Sequence, residues 1–305
     1  MGVKIPGYLN KILASISEKT YWLSRYIERI ENTSRLINVN SDLLLDIPNE
    51  GSDDLQHLIK ITGHINDFKK KNTKENVYYF LIQDESNPSS IKYSIEMAKM
   101  NSRYLLTMLP KSAWEQFNNL YIDFNSKHKP HSEDLYRIIR NSQRFFAIIT
   151  DGMQRNDVFN FIKLGRFIER ADMLSRIIED QILRKEKYVN KYYQNLQWSS
   201  VLRSINGFES FKLINKDKLN QEIVLRFMIM EKLFPRSMKY CVNKLLEVQR
   251  FLPKSPSIKK DISILLEDFT NENLYKNDKK MLKVLDDFQF GLINLDKTIK
   301  EIFFN

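Results

Sequence analysis

Cysteine is all but missing from this chain, with Cys241 the only one in 305 residues. A lone thiol excludes an intramolecular disulfide and any cysteine-clustered metal site, and it points to a reducing compartment. Glycine and proline are scarce too, at eight each, which favours long helices over a turn-rich β fold. No apolar run approaches the ~18 residues that a bilayer span requires. The opening Met-Gly-Val-Lys-Ile-Pro is too short and too polar for a secretory signal. Pro6 stands where myristoylation of Gly2 would want Ser or Thr. The expectation is a soluble, cytoplasmic protein with no membrane span.

Other chemistry is missing as well. The chain has neither a Gly-x-x-x-x-Gly-Lys loop nor a Gly-x-Gly-x-x-Gly turn, the two common cradles for nucleotide phosphates. A ferritin-like di-iron bundle needs paired Glu-x-x-His motifs, and none occurs. The histidines are His57, His64, His128 and His131. His57 and His64 share a helix face, but at two-turn spacing they cannot chelate one ion. No metal and no cofactor is expected. No Ser-His-Asp or Cys-His constellation can be assembled, and Cys241, among Tyr240, Val242 and Leu245, reads as a small core residue.

What the chain does hold is helical pattern and positive charge. Hydrophobic residues make up 42%, enough for a sizeable core. The net charge of +10 invites an acidic partner or nucleic acid. The lysines, however, are scattered through 69–74, 185–191 and 254–283, with no basic stripe interleaved with aromatics. That distribution weighs against direct nucleic-acid binding.

One stretch comes back. Arg25-Tyr-Ile-Glu28-Arg29, closed by Ser34-Arg35, reappears as Arg166-Phe-Ile-Glu169-Arg170, closed by Ser175-Arg176. A fainter third copy runs from Ile95-Glu96 to Ser102-Arg103. In each, Glu and the closing Arg stand seven residues apart, about two helical turns, so both lie on one face. In the first copy Ile16, Leu23, Ile27, Ile30 and Ile37 form an apolar stripe, while Arg25, Glu28, Arg29, Asn32 and Arg35 line the opposite side.

Three readings of that charged face stand side by side. It is a solvated surface, where Glu31 and Arg35 would be a weak i,i+4 pair of ~0.3–0.5 kcal/mol. It is an interlocked set of Arg–carboxylate forks between helices. Or it is a set of Arg converging on an anion such as phosphate or carboxylate. Tyr21, Trp22 and Trp114 lie nearby; they could stack on guanidinium groups, though as large aromatics they read first as core. Gly165, alone inside a helical pattern, reads as a close helix contact rather than a phosphate site.

The periodicity predicts a first helix over 15–46, capped by Ser15 and Glu18 and stopped at Pro48. Further helices are expected over 53–70, 76–83, 91–109, 114–121, 131–150 and 158–187, with a loop at 125–130. Shorter helices follow over 199–205, 208–213, 221–230, 238–251, 257–270 and 280–304. No segment alternates with period two, so the fold class is all-α. The expected organisation is a single domain over 1–305. It has a lead at 1–14, a long-helix bundle over 15–187, and shorter C-terminal helices over 198–305 packed on it.

The stretch Tyr21-Trp-Leu-Ser-Arg-Tyr-Ile-Glu-Arg-Ile-Glu-Asn-Thr-Ser-Arg-Leu36 resembles the signature of the bacterial Alpha-E family, an all-helical family named for a Glu-Arg motif. Leu164 to Met173 resembles its second signature, Asn101-Ser-Arg103 with Leu109-Pro110 and Trp114-Glu115 its middle element, and Phe234-Pro-Arg-Ser237 its last. The middle element departs from the family pattern, with Lys99, Met100, Leu106 and Thr107 where charges and an Arg-Glu pair are usual. The resemblance covers nearly the whole chain. It implies an accessory protein of a peptide-ligation or peptide-modification system, with an ATP-grasp-type ligase and a transglutaminase-like protein as partners. The candidate ligand-binding residues are Arg25, Glu28, Arg29, Asn32, Arg35, Arg103, Arg166, Glu169, Arg170, Asp172, Arg176 and Arg236. They would hold an anionic peptide or phosphate. The alternative is a stand-alone enzyme or small anionic-ligand binder that uses the same Glu/Arg cluster. Against a proton-donating Glu28 or Glu169, clustered Arg lowers a carboxyl pKa.

Overall fold

A computed structural model describes residues 14–46, 55–126, 132–184, 191–216, 219–252 and 255–305. The described chain is helical, and no strand occurs in it. The first half contains α1 (Ala14–Asp46), α2 (Gln56–Thr62), α3 (Lys74–Ile82), α4 (Ile91–Arg103), α5 (Lys111–Asn125) and α6 (Ser132–Gly152). The second contains α7 (Asp157–Arg184), α8 (Lys191–Ser204), α9 (Phe208–Asn215), α10 (Gln221–Met230), α11 (Met238–Gln249), α12 (Ser255–Ile264) and α13 (Asp278–Phe303).

The long helices form where the apolar period is sustained, and the differences from expectation have local causes. Ser15 lies within the first turn of α1 rather than at its cap. The helix expected over 53–70 ends at Thr62, because Gly63 adopts φ +83° and terminates it. α4 stops at Arg103, and the amides of Tyr104, Leu105 and Met108 bond three residues back in tight turns. Ser90 and Ser237 cap α4 and α11, their hydroxyls accepting from the amides of Tyr93 and Tyr240 at 3.0 Å. α8 begins earlier than expected, at Lys191. Residues 127–131, which include most of the expected loop, lie outside the described residues, as does Pro48.

At the centre lie α1 and α7. Tyr21 meets Gly165 near their starts, and Leu36 and Asn40 line one cleft with Ile177 and Asp180 further along, so the two helices run in the same direction. Leu23, Ile27, Ile30 and Ile37 are fully buried, as the stripe predicts. The polar face is buried as well: Glu28 and Glu31 have no solvent exposure. α1 is therefore buried on its polar as well as its apolar face through its middle turns, packed by α4, α6, α7 and α8.

The two halves repeat each other. α4 packs on α1 as α11 packs on α7, and α5–α6 pair as α12–α13 do. The sequence echo sits at the caps: Pro88-Ser-Ser-Ile-Lys-Tyr93 opens α4, and Pro235-Arg-Ser-Met-Lys-Tyr240 opens α11. Each copy is four helices, with α2–α3 inserted in the first and α8–α10 in the second. The faint third copy at Ile95–Arg103 is therefore not another crossing helix. It lies on α4, whose structural counterpart is α11.

Gly165 is fixed by the crossing. A Cβ placed there would stand 2.3 Å from Ser24 Oγ and 2.4 Å from the Tyr21 carbonyl oxygen. The second contact is backbone and cannot rotate away. Gly165→Ala should cost about 1–3 kcal/mol of stability by urea unfolding, despite alanine's better helix propensity of roughly 1 kcal/mol. An unchanged or raised unfolding midpoint would show that α1 and α7 do not cross at this distance.

Candidate functional site

The repeated Glu-Arg segments meet at the crossing, and they meet reciprocally. Glu169 accepts from Arg25 Nε at 2.7 Å, from Arg29 Nε at 2.6 Å and from Arg29 Nη2 at 3.1 Å. Glu28 accepts from Arg166 Nε at 3.2 Å, from Arg170 Nε at 2.7 Å and from Arg170 Nη2 at 2.9 Å. Each carboxylate thus sits in the fork of the other helix. The remaining arm of each fork reaches a cap-turn carbonyl: Arg29 Nη1 donates to Pro88 O at 3.3 Å, and Arg170 Nη1 to Pro235 O at 3.0 Å. These bonds tie α1 to the start of α4 and α7 to the start of α11.

Around this core the copies diverge. Arg236, from the α11 cap, donates to Asn32 Oδ1 at 3.0 Å, touches Glu28 at 3.4 Å, and is hydrogen-bonded to Glu31. Glu31 Oε1 also accepts from Arg35 Nη2 at 2.9 Å and from Gln143 at 3.0 Å. Its second oxygen and Asn32 Nδ2 are buried without a hydrogen bond, so this end is less well satisfied than the crossing. Among the described residues, Asp172 and Arg176, the counterparts of Glu31 and Arg35, form an ion pair with each other at 3.2 Å. Arg103 is exposed. Glu96 bonds Lys92 and Tyr121 on α4 and α5, so the middle segment contributes no charge to the crossing.

Electrostatics follow from this geometry. Burial pushes the Glu28 carboxyl up, but Arg170, Arg236 and Arg166 outweigh it and hold Glu28 well below the usual carboxylate range. Glu169 is opposed by burial in the same way and is pulled down to about 2 by Arg29 and Arg25. Both carboxylates are ionised and fully engaged, which disqualifies them as proton donors. Cys241 is fully buried, its thiol pushed up to about 12 chiefly by that burial; it is a core residue and no nucleophile. Among the described residues no group of three or more His, Cys, Asp or Glu could hold a metal ion.

The clearest asymmetry is between Arg25 and Arg166, which occupy equivalent positions in the two copies. Arg25 Nη1 donates to Asp296 of α13 at 2.9 Å and to the Tyr21 hydroxyl at 3.2 Å. The Tyr21 hydroxyl in turn donates to Asp296 at 2.6 Å. Arg166 has Glu28 on Nε, and its guanidinium lies 3.8 Å over the ring of Phe146. Its terminal nitrogens donate to none of the described residues. Arg166 lines a cavity of about 540 Å³. Burial and neighbouring Arg170 draw the Arg166 pKa down to about 10, with Glu28 opposing, whereas Arg25 is raised by Tyr21, Glu169 and Asp296 against the opposing effect of burial.

That cavity is basic. Arg155, Lys163, Arg166, Arg170 and Lys244 line it, with Glu247 the only carboxylate. Glu247 bridges Lys163 at 3.2 Å and Lys244 at 2.6 Å. Arg170 is spent on Glu28 and Pro235, and Arg155 bonds the carbonyls of Met153 and Thr150 at the end of α6. Among the described residues that line it, Arg166 is the arginine whose two terminal nitrogens both lack a protein acceptor, while Lys163 and Lys244 each give one of three N–H donors to Glu247. Phe159, Phe167, Tyr240 and Phe251 supply aromatic walls.

A family model described as a predicted alpha-helical domain with a conserved ER motif, Alpha-E, matches residues 12–304. The chain belongs to the Alpha-E family. No curated protein and no solved structure matches it. In this Alpha-E chain the Glu-Arg dipeptide occurs as Glu28-Arg29 and Glu169-Arg170, the four residues at the heart of the crossing. Sequence reasoning named both, and it found Arg236 through its motif. It missed Asp296, Gln143 and Phe146, which come from α13 and α6 and carry no local signal. It also missed the cavity-lining Arg155, Lys163 and Lys244. No helix of the described residues is long and apolar enough to cross a membrane.

Two predictions follow from the charges. Arg170→Gln leaves buried Glu28 without its bidentate partner and should cost on the order of 3–5 kcal/mol. Arg166→Gln leaves Arg170 and Arg236 in place and should cost about 1 kcal/mol or less, near the value of an ordinary hydrogen bond. Urea unfolding of the two variants measures the difference, and equal losses would show that Arg166 is as structural as Arg170. The second concerns acid. The Glu169 carboxyl lies lower folded than the ordinary 4.5. Its contribution is therefore whole above pH 4.5 and is lost as pH falls through about 2. The stability gap between the native chain and Glu169→Gln should narrow across that window; a gap independent of pH would mean Glu169 is not held by its arginines.

Proposed function

We propose that this chain is a non-catalytic accessory protein that holds an anionic group, of a peptide or a phosphate, in the basic cavity beside Arg166. The observation that carries the reading is that Arg166, hydrogen-bonded to the described residues only through Nε, lines that cavity. A guanidinium with free terminal nitrogens over aromatic walls is suited to planar oxyanions. The size is right for a small ligand or a peptide end, since ligand pockets commonly span ~300–1,000 Å³.

The remaining candidate residues take a structural part in this reading. Arg25, Glu28, Arg29, Glu169, Arg170 and Arg236 lock the crossing and hold Arg166 by its Nε at the cavity wall. A stand-alone enzyme is the weaker alternative, because both central carboxylates are held ionised and Cys241 is inert. The family resemblance supplies the context: the accessory role would serve an ATP-grasp-type peptide ligase, with a transglutaminase-like protein in the same system. The exposed lysines of this basic chain suit an acidic partner.

Thermal unfolding at constant ionic strength tests the anion site. Inorganic phosphate or tri-glutamate should raise the Tm, by the linkage that stabilises any ligand-binding fold. Thr150→Glu, which introduces a carboxylate at the cavity wall, should abolish the rise. No stabilisation by either anion would overturn the reading. Affinity capture from the native lysate tests the partner: an ATP-grasp-type ligase should be retained by the chain, and its reproducible absence removes that part of the proposal.

A further inference from the structure

The two halves of the chain answer the same chemical problem differently. Each central helix presents an Arg whose Nε is bound by the opposite carboxylate, Arg25 to Glu169 and Arg166 to Glu28. Each therefore has an outer edge to satisfy. At Arg25 the C-terminal helix satisfies it internally: Asp296 accepts from Nη1 at 2.9 Å and from the Tyr21 hydroxyl at 2.6 Å, and Lys300 approaches the other oxygen at 2.7 Å. The guanidinium sits 5.1 Å from the Trp22 ring. This is a complete carboxylate site, built from a guanidinium, a hydroxyl, an ammonium and aromatic walls, and occupied by the chain's own side chain.

At Arg166 the same position is open. α6 contributes the face of Phe146 at 3.8 Å and no carboxylate. The surroundings keep the other ingredients: an ammonium at Lys163, a phenol at Tyr240, and rings at Phe159 and Phe167. Lys163 stands in the motif where the first copy has Trp22, and Tyr240 stands where the first copy has Tyr93.

We infer that the Arg166 cavity is a carboxylate-binding site, the open counterpart of the Asp296 site, and that its ligand is an acidic peptide group: an Asp or Glu side chain, or a chain-terminal carboxylate. This rests on the anion-binding reading above and narrows it. The internal precedent decides the class. Asp296 shows that the Arg-fork geometry of these copies accepts one planar carboxylate oxygen on Nη1, with its second oxygen turned to an ammonium. The open site offers the Arg166 edge with Lys163, Lys244 and Tyr240 among the residues around it. A guanidinium edge with an ammonium nearby repeats the pair that holds Asp296.

Isothermal titration of the full chain with tri-glutamate, C-terminally amidated tri-glutamine and inorganic phosphate, at one ionic strength, tests this. Tri-glutamate should bind at least about tenfold more tightly than either the amidated tri-glutamine, which has no carboxylate, or phosphate, the factor expected of one good charged hydrogen bond. Arg166→Gln should weaken tri-glutamate by a similar factor. Thr150→Glu, which leaves every residue of the crossing intact, should remove binding while the circular dichroism spectrum is unchanged; it guards against a folding defect in the Arg166 variant. Phosphate binding as tightly as tri-glutamate, with the same dependence on Arg166, would overturn the carboxylate assignment and leave the anion site standing. Binding by neither, or tri-glutamate binding indifferent to both substitutions, would overturn both.

Discussion

Everything in this molecule depends on two carboxylates buried in each other's arginine forks. Glu28 and Glu169 have almost no contact with water. An unpaired charge in that position would cost several kcal/mol, and removing one partner of such a pair commonly costs ~3–5 kcal/mol. The crossing is tolerated because each carboxylate receives a bidentate Arg and a second guanidinium. The forks themselves are completed by the carbonyls of Pro88 and Pro235. The network therefore fixes more than one pair of helices. It sets the position of α1 against α7, and of each against the helix that follows its cap.

Reciprocity explains why the motif recurs. Had the two Glu-Arg segments been solvated, nothing would demand the same order of residues in both. Because each Glu is read by the other copy's Arg, a change in one segment leaves a buried charge unpaired in its partner. The close approach at Gly165 belongs to the same constraint, since the forks reach across only if the backbones come near. The middle segment escapes it. α4 carries the exposed Arg103, and Glu96 bonds Lys92 and Tyr121 away from the crossing.

Duplication also provides a place for divergence. Two equivalent arginines began with equivalent needs, and α13 meets one of them with Asp296 while α6 meets the other only with a ring. Arg166 lines a cavity in which Glu247 bridges Lys163 and Lys244 and Arg155 bonds backbone carbonyls. In the proposed reading, the crossing behind Arg166 would preorganise it for a ligand.

The sequence by itself determined the helices and the family. A sustained apolar period, two intact Glu-Arg segments and the cap at Ser237 follow from local spacing, and local spacing is legible in one dimension. The boundaries at Gly63 and at Arg103 turn on a left-handed glycine and on tight turns after the helix. It also named the arginines without saying what they face. Whether Glu28 meets water, a ligand or Arg170 depends on helices more than a hundred residues apart in the chain, and Asp296 carries no local mark of its role. Only the tertiary structure decided that the charged face is interior, and that of two matched arginines one is closed and the other open. The reason is physical: periodicity tells which side chains share a face, but only the packing of one face on another tells what lies opposite.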